Sequence, residues 1–138
     1  MSGGAAPEVE AFGVHIMLDG YDADGPLMRD EGALAKLLQA LPAEMGMHAI
    51  CAPVVVAVGP NCAKDPGGLS GFVMIAESHI SFHTFPARRF VTMDLYTCRT
   101  GTDVQAVVAR LSAAFGLSDV EVHVQRRGLR YPAADLAA

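Results

Sequence analysis

The side chains able to do chemistry crowd into one stretch, Ala76-Glu77-Ser78-His79-Ile80-Ser81-Phe82-His83-Thr84-Phe85-Pro86, and resume at Thr97-Cys98 in a chain otherwise rich in Ala and Val. A serine hydroxyl placed directly after Glu77 can attack that residue's carbonyl carbon and exchange an amide for an ester. Imidazoles such as His83 trade protons near neutral pH, and a thiol with a pKa of about 8.5, such as Cys98, can be protonated yet reactive. Taken singly these residues have plain structural readings: Ser78 as a turn or strand residue, Cys98 as a small buried hydrophobe. His79 and His83 stand four apart, a metal-pair spacing on a helix. The β-branched and aromatic residues around them predict a strand instead, where that spacing separates them by about 13 Å. No metal is expected. His15, His48 and His123 read as structural.

The joint spacing carries more than any single residue. Gly68-Leu69-Ser70-Gly71, Glu77-Ser78-His79, His83-Thr84-Phe85-Pro86 and Asp94 with Thr97-Cys98, together with the weaker Gly13-Val14-His15 and Arg127-Gly128, resemble the short prokaryotic S-adenosylmethionine decarboxylases, which cut themselves at a Glu-Ser bond to make a pyruvoyl group. The resemblance covers most of the chain. It implies self-cleavage between Glu77 and Ser78, giving a β chain of residues 1–77 and an α chain of residues 78–138 that begins with a covalent pyruvoyl group derived from Ser78. That ketone forms a Schiff base with a substrate amine and accepts the electrons left when CO2 departs, with no external cofactor. The resemblance further implies that His83 removes the serine α-proton during elimination, that Ser70 assists the acyl shift, and that Cys98 reprotonates the decarboxylated carbon. It also implies a place in polyamine synthesis, and a homodimer or higher oligomer of processed units built by sheet packing, with active sites shared across the interface.

Two positions depart from the family pattern. Members carry an acidic residue after the His-Thr-aromatic-Pro run to hold the ribose hydroxyls, where this chain has Ala87 followed by Arg88-Arg89. They also present an aromatic ring from the loop before Gly-x-Ser-Gly, whereas residues 49–71 contain no Phe, Tyr or Trp. S-adenosylmethionine is the substrate the resemblance implies. Related enzymes act on L-ornithine or L-arginine, and for such a substrate Asp19, Asp22 and Asp24 offer counter-charges, against the plain reading of a solvated acidic turn. Phe12, Tyr21, Phe82 and Phe85 are the rings available to replace the missing stack. A non-catalytic regulatory homologue is a third reading, opposed by the joint presence of Ser70, Ser78, His83 and Cys98.

These residues need a scaffold. Residues 1–10 read as a frayed tail. Alternation over residues 13–18 predicts a half-buried strand closed by the turn-rich residues 19–26. Asp30 caps a helix whose stripe is Leu34, Leu37, Leu38 and Leu41, stopped by Pro42 and Gly46. Strands are predicted over residues 50–58, then, after a Gly/Pro-rich loop, over 72–76, 79–85 and 90–96. Thr102 and Asp103 open a second helix with the stripe Val104, Val107, Val108, Leu111 and Phe115 and a C-cap at Gly116, before a strand over residues 120–125. The order predicts an α+β fold: a two-layer α/β sandwich, one antiparallel sheet with both helices on one face. One geometric demand stands out. Ser78 and His83 are five apart, so an unbroken strand points them to opposite faces, and a bend or an approach from a neighbouring strand is required.

At 138 residues the chain predicts a single domain, and 51% hydrophobic with 18% charged residues excludes disorder. A net charge of -5 with no long basic run argues against nucleic acid, and no apolar stretch is long enough to span a membrane. Three cysteines without zinc spacing and an N-terminus without a secretion signal point to the cytoplasm. A small-molecule partner fits best.

Overall fold

The computed structural model describes residues 11–137; the expected tail over residues 1–10 lies outside them. One six-stranded sheet carries the molecule, in the spatial order β2-β3-β4-β5-β1-β6. The strands are β1 (Gly13–Tyr21), β2 (Val54–Val58), β3 (Gly68–Ile75), β4 (Ser78–Phe85), β5 (Phe90–Thr97) and β6 (Asp119–Arg127), and every neighbouring pair is antiparallel. Helices α1 (Glu31–Glu44) and α2 (Val104–Phe115) form the second layer. None of the described helices is long and apolar enough to cross a membrane.

Period-two alternation puts Ile16, Leu18, Val73, Ile80, Phe82, Val91 and Leu95 on one face, where they are buried against Leu34, Leu38 and Leu41 of α1 and Val107, Leu111 and Phe115 of α2. The opposite face carries His15, Met17, Asp19, Ser70, Phe72, Met74, His79, Ser81, His83, Thr92, Asp94 and Tyr96, and neither α1 nor α2 lies over it. Both helices begin as expected. The Asp30 carboxylate accepts from the Ala33 N–H at 3.0 Å and that of Asp103 from the Ala106 N–H at 3.1 Å, each satisfying a free first-turn donor. Gly116, at φ 65°, closes α2 in the left-handed conformation.

Four expectations on element limits need correction. Strand β1 does not turn at Asp19 but runs to Tyr21, paired with β5 as far as Gly20 and with β6 to its end. Gly20 is there for packing: a Cβ would come within 2.5 Å of the Leu117 side chain. Helix α1 continues through Pro42 to Glu44, because a proline in the last turn forfeits one hydrogen bond while its ring joins the buried stripe. Strand β3 begins at Gly68 instead of residue 72; its glycine lets the Thr84 carbonyl approach to 1.9 Å of where a Cβ would be. Strand β2 keeps only Val54–Val58, since residues 49 and 50 instead bridge to Ile75 and Met74 at the far end of β3.

Candidate active site

Ser78 opens β4 directly after a two-residue hairpin, with Ile75 and Ser78 opposite each other and Ala76-Glu77 between them. The Glu77–Ser78 peptide is held from several sides. The Cys98 N–H donates to the Glu77 carbonyl at 2.9 Å. The His48 N–H donates to one oxygen of the Glu77 carboxylate at 3.0 Å, and His48 Nδ1 lies 2.8 Å from the other. Burial pushes the Glu77 carboxyl up, but these hydrogen bonds outweigh it and hold the group below the usual carboxylate range. Ser78 itself has φ 150°, a conformation that L residues rarely adopt. Cys98 is half-buried and follows Thr97, the residue opposite Ser78 on β5. Glu77, Ser78 and Cys98 therefore meet at one end of the sheet.

Ser70 and His83 meet at the other end. They are directly opposite on β3 and β4, both on the open face, with Ser70 Oγ 2.9 Å from His83 Nδ1. His83 lies five positions beyond Ser78 on β4, about 16 Å at the usual rise. The same ladder row continues through Thr92 to Asp19, whose carboxylate accepts from the Thr92 hydroxyl at 2.7 Å. Asp22 and Asp24 lie just beyond, 3.8 and 3.2 Å from the Arg89 guanidinium. Phe85 stacks against Phe90, ring centroids 5.9 Å apart. Phe82 corrects an expectation: it is 0% exposed and packs on Phe115, so its ring is core and offers nothing to a substrate.

Between the two ends stands Asp94. His15 Nε2 lies 2.5 Å from one of its oxygens and His79 Nε2 3.6 Å from the same one, while the Ser81 hydroxyl donates to the other. Burial pushes the Asp94 carboxyl up, and the hydrogen bonds from Ser81 and His15 bring it below its usual range. Among the described residues, His15, His79 and Asp94 form a group whose ligand atoms all lie within 4.8 Å of one another, the size of a metal set. The neighbouring cation argues for a hydrogen-bonded network instead. Arg127 Nη1 sits 3.5 Å from His15 Nδ1 and can only donate, so Nδ1 accepts and Nε2 carries the proton given to Asp94. A metal on Nε2 would need that proton on Nδ1, facing a guanidinium. Arg127 also covers the Tyr96 ring, 4.1 Å from its centroid.

Sequence reasoning read His15 and His48 as structural, although Gly13-Val14-His15 matched the family's Gly-x-His. The partner of His15 shows itself once β1 is aligned with β5, which brings positions 79 residues apart onto one face. His48 gave no signal, since it lies outside any regular strand and reaches Glu77 through a bridge to β3. Ala87 lies in the 3-10 turn Pro86–Arg88, and the Arg88 side chain donates to the Ala63 carbonyl at 3.0 Å.

A family model described as S-adenosylmethionine decarboxylase matches residues 14–128. The chain is 37% identical over 106 residues to the S-adenosylmethionine decarboxylase proenzyme of Pyrobaculum islandicum, covering 77% of this chain and 79% of that protein. It is 31% identical over 129 residues to the proenzyme of the same description from Pyrobaculum aerophilum, covering 94% and 98%, and 31% identical over 119 residues to the S-adenosylmethionine decarboxylase proenzyme 2 of Bacillus anthracis, covering 86% and 89%. The fold matches the crystal structure of the adenosylmethionine decarboxylase from Aquifex aeolicus VF5 with a TM-score of 0.72 over 94% of this chain and 98% of that one, at 22% identity. The residues that resemble the family in sequence thus sit on its fold, and the match spans the whole sheet and both helices: this chain belongs to the S-adenosylmethionine decarboxylase family.

Proposed function

We propose that the chain is a proenzyme that cleaves itself between Glu77 and Ser78 and then decarboxylates S-adenosylmethionine, using a covalent pyruvoyl group derived from Ser78. One observation carries the proposal: the Glu77 carbonyl accepts the Cys98 N–H at the mouth of a tight hairpin whose next residue, Ser78, is conformationally strained. That amide is aimed at the oxygen on which negative charge grows when the Ser78 hydroxyl attacks the Glu77 carbonyl carbon. In the acyl shift the C–N bond breaks, a C–O bond forms and the Ser78 amine is released. His83 then removes the Ser78 α-proton, the Cβ–O bond breaks, and Glu77 leaves as a carboxylate; addition of water and loss of ammonia leave the ketone. The pyruvoyl group supplies an electron sink for loss of CO2 from the substrate. Cys98 holds the proton to be returned to the substrate carbon.

Ser70 and His83 act in this scheme from a second copy of the chain. At about 16 Å along β4 they are out of reach of their own Ser78, and a pair of chains with open faces packed head to tail brings each Ser70–His83 pair to the partner's cleavage site. Exposed apolar side chains flank that pair on the open face: Val54 and Val56 on β2, Phe72 and Met74 on β3. Asp19 and Phe85 travel with the His83 end and would line the partner's substrate. Decarboxylation of ornithine or arginine loses its main support, because Asp22 and Asp24 are paired with Arg89. Free Cys51, Cys62 and Cys98 suit the reducing cytoplasm.

The test is the intact mass of the purified protein under denaturing conditions, with CO2 release from S-adenosylmethionine, ornithine and arginine on the same sample. Two fragments meeting at Glu77/Ser78, with activity on S-adenosylmethionine, are expected. A single inert chain would overturn the proposal.

A further inference from the structure

Glu77 is gripped harder than a hairpin requires, and the structure assigns that grip to His48 as a positioning residue for self-cleavage; the inference rests on the cleavage reading above. A two-residue hairpin needs nothing from the side chain at its second position. Here the Glu77 side chain is only 15% exposed, while the His48 ring that holds it is 77% exposed. The segment carrying His48 is itself fixed to the hairpin: the Ala76 N–H donates to the His48 carbonyl at 2.8 Å and the Ile50 N–H to the Met74 carbonyl at 3.0 Å. Met47, the residue before His48, is buried. The backbone that carries the imidazole is therefore tied to the hairpin, which keeps the exposed ring beside Glu77.

The geometry separates two jobs. The His48 backbone N–H reaches one carboxylate oxygen whatever side chain stands at that position, while Nδ1 reaches the other. Together they stop rotation about the Glu77 side chain from one direction as the Cys98 N–H fixes its carbonyl from another. With both ends of Glu77 held, its carbonyl carbon presents one face to the Ser78 hydroxyl, an orientation that otherwise must be reached by chance. The same contacts remain available after the bond breaks, when Glu77 becomes a chain terminus with a second carboxylate and Cys98 N–H still addresses its former carbonyl oxygen.

The experiment follows cleavage from the moment of cell-free synthesis in the wild type, His48→Ala, His48→Asn, Glu77→Gln and the Glu77→Gln/His48→Ala double variant. Asparagine places an N–H close to the position of imidazole Nδ1, so His48→Asn is expected near the wild-type rate and His48→Ala about ten-fold slower, the effect of one lost charge-assisted hydrogen bond. In the Glu77→Gln background the contact with Nδ1 is neutral instead of charge-assisted, so His48→Ala is expected to cost less there than in the wild type. Thermal unfolding of Ser78→Ala with and without His48→Ala, in which no cleavage occurs, separates positioning from a folding defect; near-identical midpoints are expected. Cleavage of His48→Ala at the wild-type rate overturns the assignment, as does His48→Asn cleaving as slowly as His48→Ala, or a large fall in the unfolding midpoint. A wild-type chain that never cleaves overturns the reading of function, and this inference with it.

Discussion

Mixing two inert variants should restore cleavage. In Ser78→Ala the attacking hydroxyl is gone but Ser70 and His83 remain; in His83→Ala the reverse holds. Within one chain the two groups lie about 16 Å apart along β4, whereas proton transfer needs a heavy-atom approach of about 3 Å, so no side-chain rotation closes the gap. If each Ser78 is served by the partner's His83, a mixed dimer contains one complete site, formed by the Ser78 of the His83→Ala chain and the His83 of the Ser78→Ala chain. Random pairing of equal amounts makes about half of all dimers mixed, and one chain of two in each can cleave. About a quarter of all chains, or about half of the His83→Ala chains, should then appear as fragments. The two proteins are unfolded together, refolded and resolved by mass under denaturing conditions, with a small sequence tag to distinguish them. Each variant alone should remain uncut. An uncut mixture, once native mass spectrometry has shown that mixed dimers form, would refute the shared-site reasoning, and cleavage of His83→Ala alone would remove His83 from its role.

Three further outcomes follow from contacts in the fold. Cys98→Ala keeps the backbone N–H that addresses the Glu77 carbonyl, so self-cleavage should proceed while CO2 release falls by about 10²–10⁴; unchanged CO2 release would show that Cys98 is not the proton donor. Thr84 is buried, its hydroxyl donating to the Met28 carbonyl at 2.8 Å and accepting from the Leu69 N–H at 3.0 Å. Thr84→Val strands both partners at about 1–3 kcal/mol each, offset by about 0.8 kcal/mol of methyl burial, and urea unfolding in the Ser78→Ala background should show a loss of about 3 kcal/mol; a change below about 0.5 kcal/mol would contradict this accounting. Because the folded Asp94 carboxyl ionises below its unfolded value of about 3.9, it adds stability that is present above that pH and lost as pH falls through the lower folded value. Asp94→Asn in the Ser78→Ala background should flatten the acid limb of a stability–pH curve below about pH 4, and an identical slope would mean that Asp94 is not the group responsible.

Much of the scaffold was legible because periodicity reports burial. The stripe Leu34, Leu38 and Leu41 and the alternation of β4 and β5 each bury one face, and both helix caps were visible as Asp30 and Asp103. The misread limits share a cause. Gly20, Pro42 and Gly68 punctuate loops and turns in isolation, yet each is buried or half-buried against a specific neighbour in the folded chain. A glycine whose missing Cβ makes way for a Leu117 methyl or a Thr84 carbonyl looks, in sequence, the same as one that serves a turn. The contact that distinguishes them lies 97 residues away for Leu117 and 16 for Thr84.

The site was legible in its parts but not in its arrangement. Strand parity already implied that Ser78 and His83 point to opposite faces, and the remedies it named were a bend near Ser78 or an approach from a neighbouring strand. Ser78 sits at φ 150° where the hairpin enters β4, yet it stays in register with Ile75 and Thr97 on its two neighbours. A bend at one residue redirects a side chain but does not shorten the strand beyond it, and His83 remains paired with Ser70 far from the cleavage site. The ladder therefore sorts the candidates by end instead of by face. In the proposed reaction Glu77, Ser78 and Cys98 would present the scissile bond from one end, and Ser70, His83, Asp19 and Phe85 would serve it from the other. On that proposal the reaction is complete only when two copies are opposed. The uncovered sheet face between those ends, with Asp94 satisfied internally by His15 and Ser81, is the surface across which that opposition can occur without stranding a buried charge.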